Sequence, residues 1–148
     1  MTKSPDHDWL CRRIVENSPK AIMFADREGK IRLWNSGAET VFGYTAKEAL
    51  GQSLDLIVPE KQRQRHWEGW DKVMASGVTK YGRDPLAVPA MRKDGSRISI
   101  EFNVVLVRTD GGDLAGVAAT VQDVTARWQK QKEMNVRLAA LEAKAKEG

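Results

Sequence analysis

Two histidines and a single cysteine carry much of the chemical scope of this 148-residue sequence. His66 sits in the segment EKQRQRHWEGWDKVMASG, where Arg63, His66, Trp70, Val73 and Met74 recur at i, i+3, i+4 spacing and so share one side of a helix. A neutral imidazole can offer one ring nitrogen to a metal while the other makes an orienting hydrogen bond. A histidine so placed either ligates or simply packs. His7 lies close to the start of the chain, too near a terminus to contribute. Cys11 stands alone, which excludes an internal disulfide framework and a cysteine-built zinc site. No Ser/His/Asp order, paired-carboxylate motif or phosphate loop stands out, so no enzymatic activity is expected.

The formal net charge is +4, and its excess lies at one end: residues 126–148 hold six of the 24 basic residues and three of the 20 acidic ones. The main body is therefore nearly neutral. Lys61, Arg63 and Arg65 cluster, but a short run of this kind suits a solvated helix face, so no nucleic-acid partner is expected. No apolar run approaches the roughly 20 residues that span a bilayer, and the charged start (Asp6, His7, Asp8) is unlike a signal peptide. A reducing cytoplasm, without membrane contact, is the expected setting.

The elements that must position His66 follow from local pattern. Residues 5–16 read as a helix with Ser4 as N-cap and Pro5 at N1, stopped by Asn17-Ser18-Pro19. AIMFAD and IRLW flank the turn Arg27-Glu28-Gly29-Lys30 as a hairpin, with Ile31 and Leu33 expected on one face. AETVFGY and TAKEALGQ form short helices, the second with a Thr45–Glu48 capping box and a stop at Gly51. LDLIVP leads to Pro59 and the longer His66 helix, which Gly77 closes. TKYG and PLAVPAMR then flank a loop. RISIEFNVVLV alternates cleanly, with Ile98, Ile100, Phe102 and Val104 on one side and Ser99, Glu101 and Asn103 on the other. LAGVAATVQDVT gives the last strand. From Ala126 the chain reads as one helix whose Met134, Leu138, Leu141 and Ala145 form a narrow coiled-coil-like stripe. The expected fold is α+β: a five-stranded antiparallel sheet covered by helices on one face, with flanking helices at both ends. The domains are 1–16, 17–125 and 126–148.

The stretches ENSPKAIMFADREGKIRLWNSGAETVFGYTAKEALGQSL, MRKDGSRISIEF and VQDVT together resemble a PAS sensor domain over residues 10–127. The Asp26–Gly29 turn, Trp34-Asn35, Phe42-Gly43-Tyr44, Gly51, Arg92-Lys93-Asp94-Gly95 and Asp123-Val124-Thr125 carry the match. PAS domains bind haem, flavins or small carboxylates, or act as ligand-free dimerisation modules, so the resemblance implies a fold rather than a ligand. Its light-sensing LOV branch needs a cysteine early in the long-helix region. Here the one cysteine lies in the leading helix, which excludes that photochemistry. A redox flavin such as FAD is disfavoured, because VTKYGRDPLAVPAM lacks the tryptophan common there.

The segment PEKQRQRHWEGWDKVMASG resembles the oxygen-sensing branch, the haem-binding PAS domains of rhizobial sensor kinases and of a direct oxygen sensor phosphodiesterase. In those a histidine on this helix, equally far before its terminal glycine, ligates haem iron. The resemblance thus implies haem b with His66 as proximal ligand, Trp70 against the porphyrin and Lys72 near a propionate. Ile100, Phe102 and Val104 would wall the slot, with Gly116, Ala118 and Ala119 small enough to admit a flat macrocycle. Asp84 stands where the phosphodiesterase has a methionine ligand and Leu86 where the kinase has an arginine; Tyr81 is placed to face the distal side. The resemblance further implies a sensor of a diatomic gas (oxygen, CO or NO) or of redox state. It would act as a homodimer through the outer helices and signal to an effector such as a histidine kinase, cyclase or chemoreceptor.

Overall fold

A computed structural model describes residues 6–79 and 86–147, with residue 86 described by its backbone. Helix α1 (His7–Asn17) leads into strands β1 (Ala21–Asp26) and β2 (Ile31–Trp34). Helices α2 (Ser36–Phe42) and α3 (Ala46–Ala49), a 3-10 turn at Leu54–Leu56 and helix α4 (Glu60–Ser76) follow. Strands β3 (Leu86–Met91), β4 (Arg97–Arg108) and β5 (Leu114–Asp123) and helix α5 (Thr125–Glu147) complete the chain. The strands form one antiparallel sheet in the order β2-β1-β5-β4-β3. The β1–β2, β3–β4 and β4–β5 hairpins and the helical insertion after β2 thus match the order read from the sequence.

Register sorts the side chains onto two faces. Phe102 opposes Val121 and Val104 opposes Ala119; Ala21, Met23 and Ala25 continue those rows on β1. This face, with Ile98 and Ile100, meets Phe42, Ala38, Leu54 and Ile57 in a core from which water is excluded. The remaining side chains along the strands, Phe24, Glu101 and Val105 among them, project to the opposite face. Two expectations fail here. The cap of α1 is Asp6, whose carboxylate accepts from the Trp9 N–H, not Ser4. On β2, Ile31 and Trp34 are buried while Leu33 is exposed, because an irregularity between Phe24 and Ala25 breaks strict alternation. The expected TKYG strand lies mostly outside the described residues.

A polar knot ties the N-terminal elements together. Asn35 is buried, and its Oδ1 accepts from Ile22 N (2.8 Å) and Ala38 N (2.9 Å), capping α2 while closing onto β1. Its Nδ2 donates to Val15 O (2.7 Å) and Lys20 O (3.0 Å), so one amide holds the end of α1, the start of β1 and the start of α2. The Thr45–Glu48 capping box forms as expected. Lys93 then ion-pairs with Glu48, fastening the β3–β4 turn to α3.

Candidate functional site

Helix α4 presents a half-buried stripe of Gln62, Arg63, His66, Trp67, Trp70, Val73 and Met74, while Lys61, Gln64, Arg65, Glu68, Asp71 and Lys72 are exposed. The expected stripe is thus present, widened by Gln62 and Trp67. His66 is at its centre. The Trp67 ring meets it edge-on at 4.7 Å, and the Trp70 ring lies 6.1 Å away, tilted by 33°. Burial pushes the imidazole below its ordinary pKa, opposed in part by the charge of Asp55. His66 is therefore neutral near pH 7 and keeps a lone pair for a metal. Its Nδ1 is buried without a hydrogen-bond partner among the described residues.

Both indoles are fixed from outside the helix. Trp67 Nε1 donates to Asp55 Oδ1 (2.8 Å), in the 3-10 turn before α4. Trp70 Nε1 donates to Arg27 O (3.1 Å), in the β1–β2 turn. Arg63 donates to Val58 O and Asp55 O and closes the N-terminal end of the helix. Arg108 donates to Gly77 O (2.7 Å) at the other end. The helix is thus suspended by directional bonds, and it has no fully buried residue of its own.

The sheet supplies the apolar counterpart. Ile100 is buried, Phe102 and Ala119 pack half-buried against the same core, and Val104 is half-buried opposite Ala119. Two of the small residues expected to make room do not lie on this face. A Cβ on Gly116 would stand 2.1 Å from Ala25 O and 2.7 Å from the Phe24 ring, so its smallness serves β1–β5 packing. Ala118 pairs with Phe24 and Val105 on the same outer face. Lys72 lies outside the stripe and is exposed. The backbone of Leu86 pairs with Phe102, and Tyr81 and Asp84 lie outside the described residues. Cys11 is exposed on α1, 3.5 Å from His7 Nε2.

Sequence reasoning gave Trp67 no place in the site and missed Gln62 and Asp55. The signal for Gln62 was available, since it stands four residues before His66. That for Trp67 was not, because its partner Asp55 and its seat at Gly29 come from segments brought together only by the fold. Two surface grooves also form. One, of about 410 Å³, runs between α1 and β2 past Cys11, Val15 and Leu33; the other, of about 500 Å³, lies at the base of α5 beside Pro89, Glu101 and Trp128. Neither includes His66.

A family described as the PAS fold matches residues 15–129. The sensor protein FixL of Bradyrhizobium diazoefficiens is 27% identical over 123 residues, which are 81% of this chain and 23% of that protein. The oxygen sensor protein DosP of Escherichia coli is 23% identical over 97 residues, 66% of this chain and 12% of that one. The chain therefore spans less than a quarter of the length of these relatives. The structure of an RNA-binding light-oxygen-voltage receptor superposes with a TM-score of 0.73 at 21% identity, covering 95% of this chain and 41% of that one. That likeness concerns the fold alone.

Proposed function

This chain belongs to the PAS family, and from that premise we propose that it is a haem-b-binding sensor module for a diatomic gas or redox state. His66 is the proximal ligand in this reading, and α5 passes the signal to an effector. The observation that carries it is the His66 imidazole, half-buried beside Trp67 and Trp70 and held neutral by burial, so that one ring nitrogen keeps a lone pair. That donor fits a haem iron. The supporting frame is the likeness of the α4 segment to haem-binding PAS domains.

In this reading Trp70 packs beside the porphyrin, and Ile100, Phe102, Val104 and Ala119 form the apolar wall. Lys72 belongs to the solvent-facing edge. When bound, haem supplies an iron that takes a diatomic gas or changes oxidation state. The chain's own part is to fix the imidazole through Trp67 and Trp70, to exclude water with the Ile100–Phe102 face, and to transmit strain along β4 and β5. The module pairs as a homodimer through α1 and α5, whose Trp9, Leu10 and Ile14, and Met134, Leu138 and Leu141, are exposed. Its effector is a histidine kinase or a similar output domain, and the module itself is not catalytic.

Absorption spectroscopy of the purified protein, reconstituted with haemin, tests the reading. A stoichiometric Soret band that His66→Ala abolishes, with the fold retained, is expected. An unchanged band in the variant overturns the ligand assignment. A yellow flavin spectrum, or no bound chromophore, replaces the reading with a flavin-binding or ligand-free module.

A further inference from the structure

Two buried polar atoms lie one helical turn apart on the stripe of α4: Gln62 Oε1 and His66 Nδ1. Neither has a hydrogen-bond partner among the described residues. Their chemistries are complementary. An amide oxygen only accepts, and a neutral imidazole carries one N–H, which on Nδ1 donates. Side chains at i and i+4 are neighbours on a helix, and long ones lean toward its N-terminus, so a change of side-chain rotamer brings the Gln62 amide to the His66 ring. Left apart, each buried atom bears its own desolvation cost; one bond relieves both.

Among the described residues the rival acceptor is the Asp55 carboxylate, whose Oδ1 already accepts from Trp67 Nε1 at 2.8 Å and stands 3.9 Å from Arg63 Nε. The Trp67 and Trp70 indoles are donors already spent on Asp55 and Arg27 O, and the Arg63 guanidinium serves Val58 O and Asp55 O. None of these donors can accept a proton from Nδ1.

We propose that Gln62 is the positioning residue of His66, its amide oxygen accepting Nδ1–H. The proton is thereby fixed on Nδ1, and the lone pair is left on Nε2, aimed away from the helix turn. The bond is a property of the protein alone; its purpose, orienting a metal ligand, rests on the haem reading. Such outer partners fix tautomer and ring orientation and raise ligand basicity.

The test uses the full chain with and without haem. In the haem-free protein at pH 8, long-range ¹H–¹⁵N correlation of the histidine rings is expected to place the His66 proton on Nδ1. Gln62→Met, which keeps the volume and removes the acceptor, is expected to move it to Nε2, and Gln62→Glu to restore Nδ1–H. In the loaded protein Gln62→Met is expected to speed haem loss by about 10–100-fold, with Gln62→Glu close to wild type. The same tautomer in wild type and Gln62→Met overturns the proposal. That is the expected result if Gln62 serves the third buried unpartnered atom, Arg92 Nε. A tautomer that follows residue 62 in a protein that takes up no haem upholds the positioning role and removes the haem reading. A His66-dependent Soret band with an indifferent tautomer does the reverse.

Discussion

The indole of Trp67 lies across Gly29, where a Cβ would stand 2.3 Å from the ring. This contact joins the middle of α4 to the turn between β1 and β2, and it explains why the helix that carries His66 stays on the sheet with no fully buried residue of its own.

Gly29→Ala is therefore expected to be costlier than a turn substitution alone. Gly29 has φ +79°, and a natural control shares its left-handed backbone: Gly95, at φ +85°, has nothing within 4 Å of its would-be Cβ among the described residues. Gly95→Ala should lose about 1–3 kcal/mol from the backbone conformation. Gly29→Ala bears the same cost plus the displacement of Trp67, and should also weaken ligand binding at His66. Denaturant unfolding of the two variants checks this; equal losses would show that the indole yields freely.

Asn35 is the polar counterpart of that contact. Its amide serves α1, β1 and α2 at once. Asn35→Ala leaves several buried backbone groups unpaired and is expected to cost roughly 2–4 kcal/mol. Asn35→Asp keeps the acceptor for Ile22 N and Ala38 N but loses the donor to Val15 O. It should release α1 while retaining α2, visible as faster hydrogen exchange confined to residues 7–17.

These two residues also mark what the sequence discloses and what it hides. The strands, the capping box at Thr45 and the stripe on α4 rest on local spacing, and they are legible because period and punctuation are local properties. The inward turn of Trp34 in place of Leu33 depends on an irregularity of pairing that no periodicity encodes. Asn35 reads as the end of a strand, although its bonds run to residues 13 to 20 positions earlier. Gly116 reads as room for a ligand, whereas the register gives that room to Phe24. Of the site, His66 and its face are visible in the spacing. The Asp55 and Arg27 anchors are not, because they are contacts between separate turns.

Acid should loosen the β3–β4 turn. The Lys93 ion pair, followed by the Thr45 backbone N–H, holds the Glu48 carboxylate down at about 2, against an ordinary 4.5. A carboxylate with a depressed folded-state pKa contributes stability that is present above its unfolded value and is lost as pH falls through the folded one. The loss is thus expected between pH 4.5 and 2. It is modest, because the pair is exposed and screened by salt. Glu48→Gln should flatten that limb of the stability curve; an identical acid limb in both proteins removes the assignment.

Association should depend on the outer helices. Trp9 and Ile14 on α1, and Leu138 and Leu141 on α5, are exposed apolar residues on helices at the two ends of the chain. The α5 stripe spans few turns and is marginal as an isolated seam, so both helices are expected to contribute. Sedimentation at micromolar concentration should give a dimer for the full chain and weaker association for a chain ending at Thr125. A monomer in both cases rejects the homodimer.

In the proposed reading the signal leaves through Thr125. Its Oγ1 accepts from Ser99 N (2.9 Å) and donates to Asp123 Oδ1 (2.6 Å), which also accepts from Thr125 N. Val124 N donates to Ser99 O, and Arg127 at the base of α5 pairs with Glu101 on β4. The first turn of α5 is thereby tied to β4, the strand that carries Ile100 and Phe102 on the site face. No glycine or proline separates β5 from α5, so a shift of β4 must tilt or rotate the helix instead of being absorbed at a hinge. Asp123→Ala removes the acceptor that orients Thr125 but touches nothing at His66. It is expected to leave ligand affinity within a few-fold of wild type while uncoupling ligand state from helix geometry. Spin labels on α5 report the change in distance between ligand-bound and ligand-free forms: a change in wild type that is lost in Asp123→Ala supports this route, and the same change in both proteins rejects it.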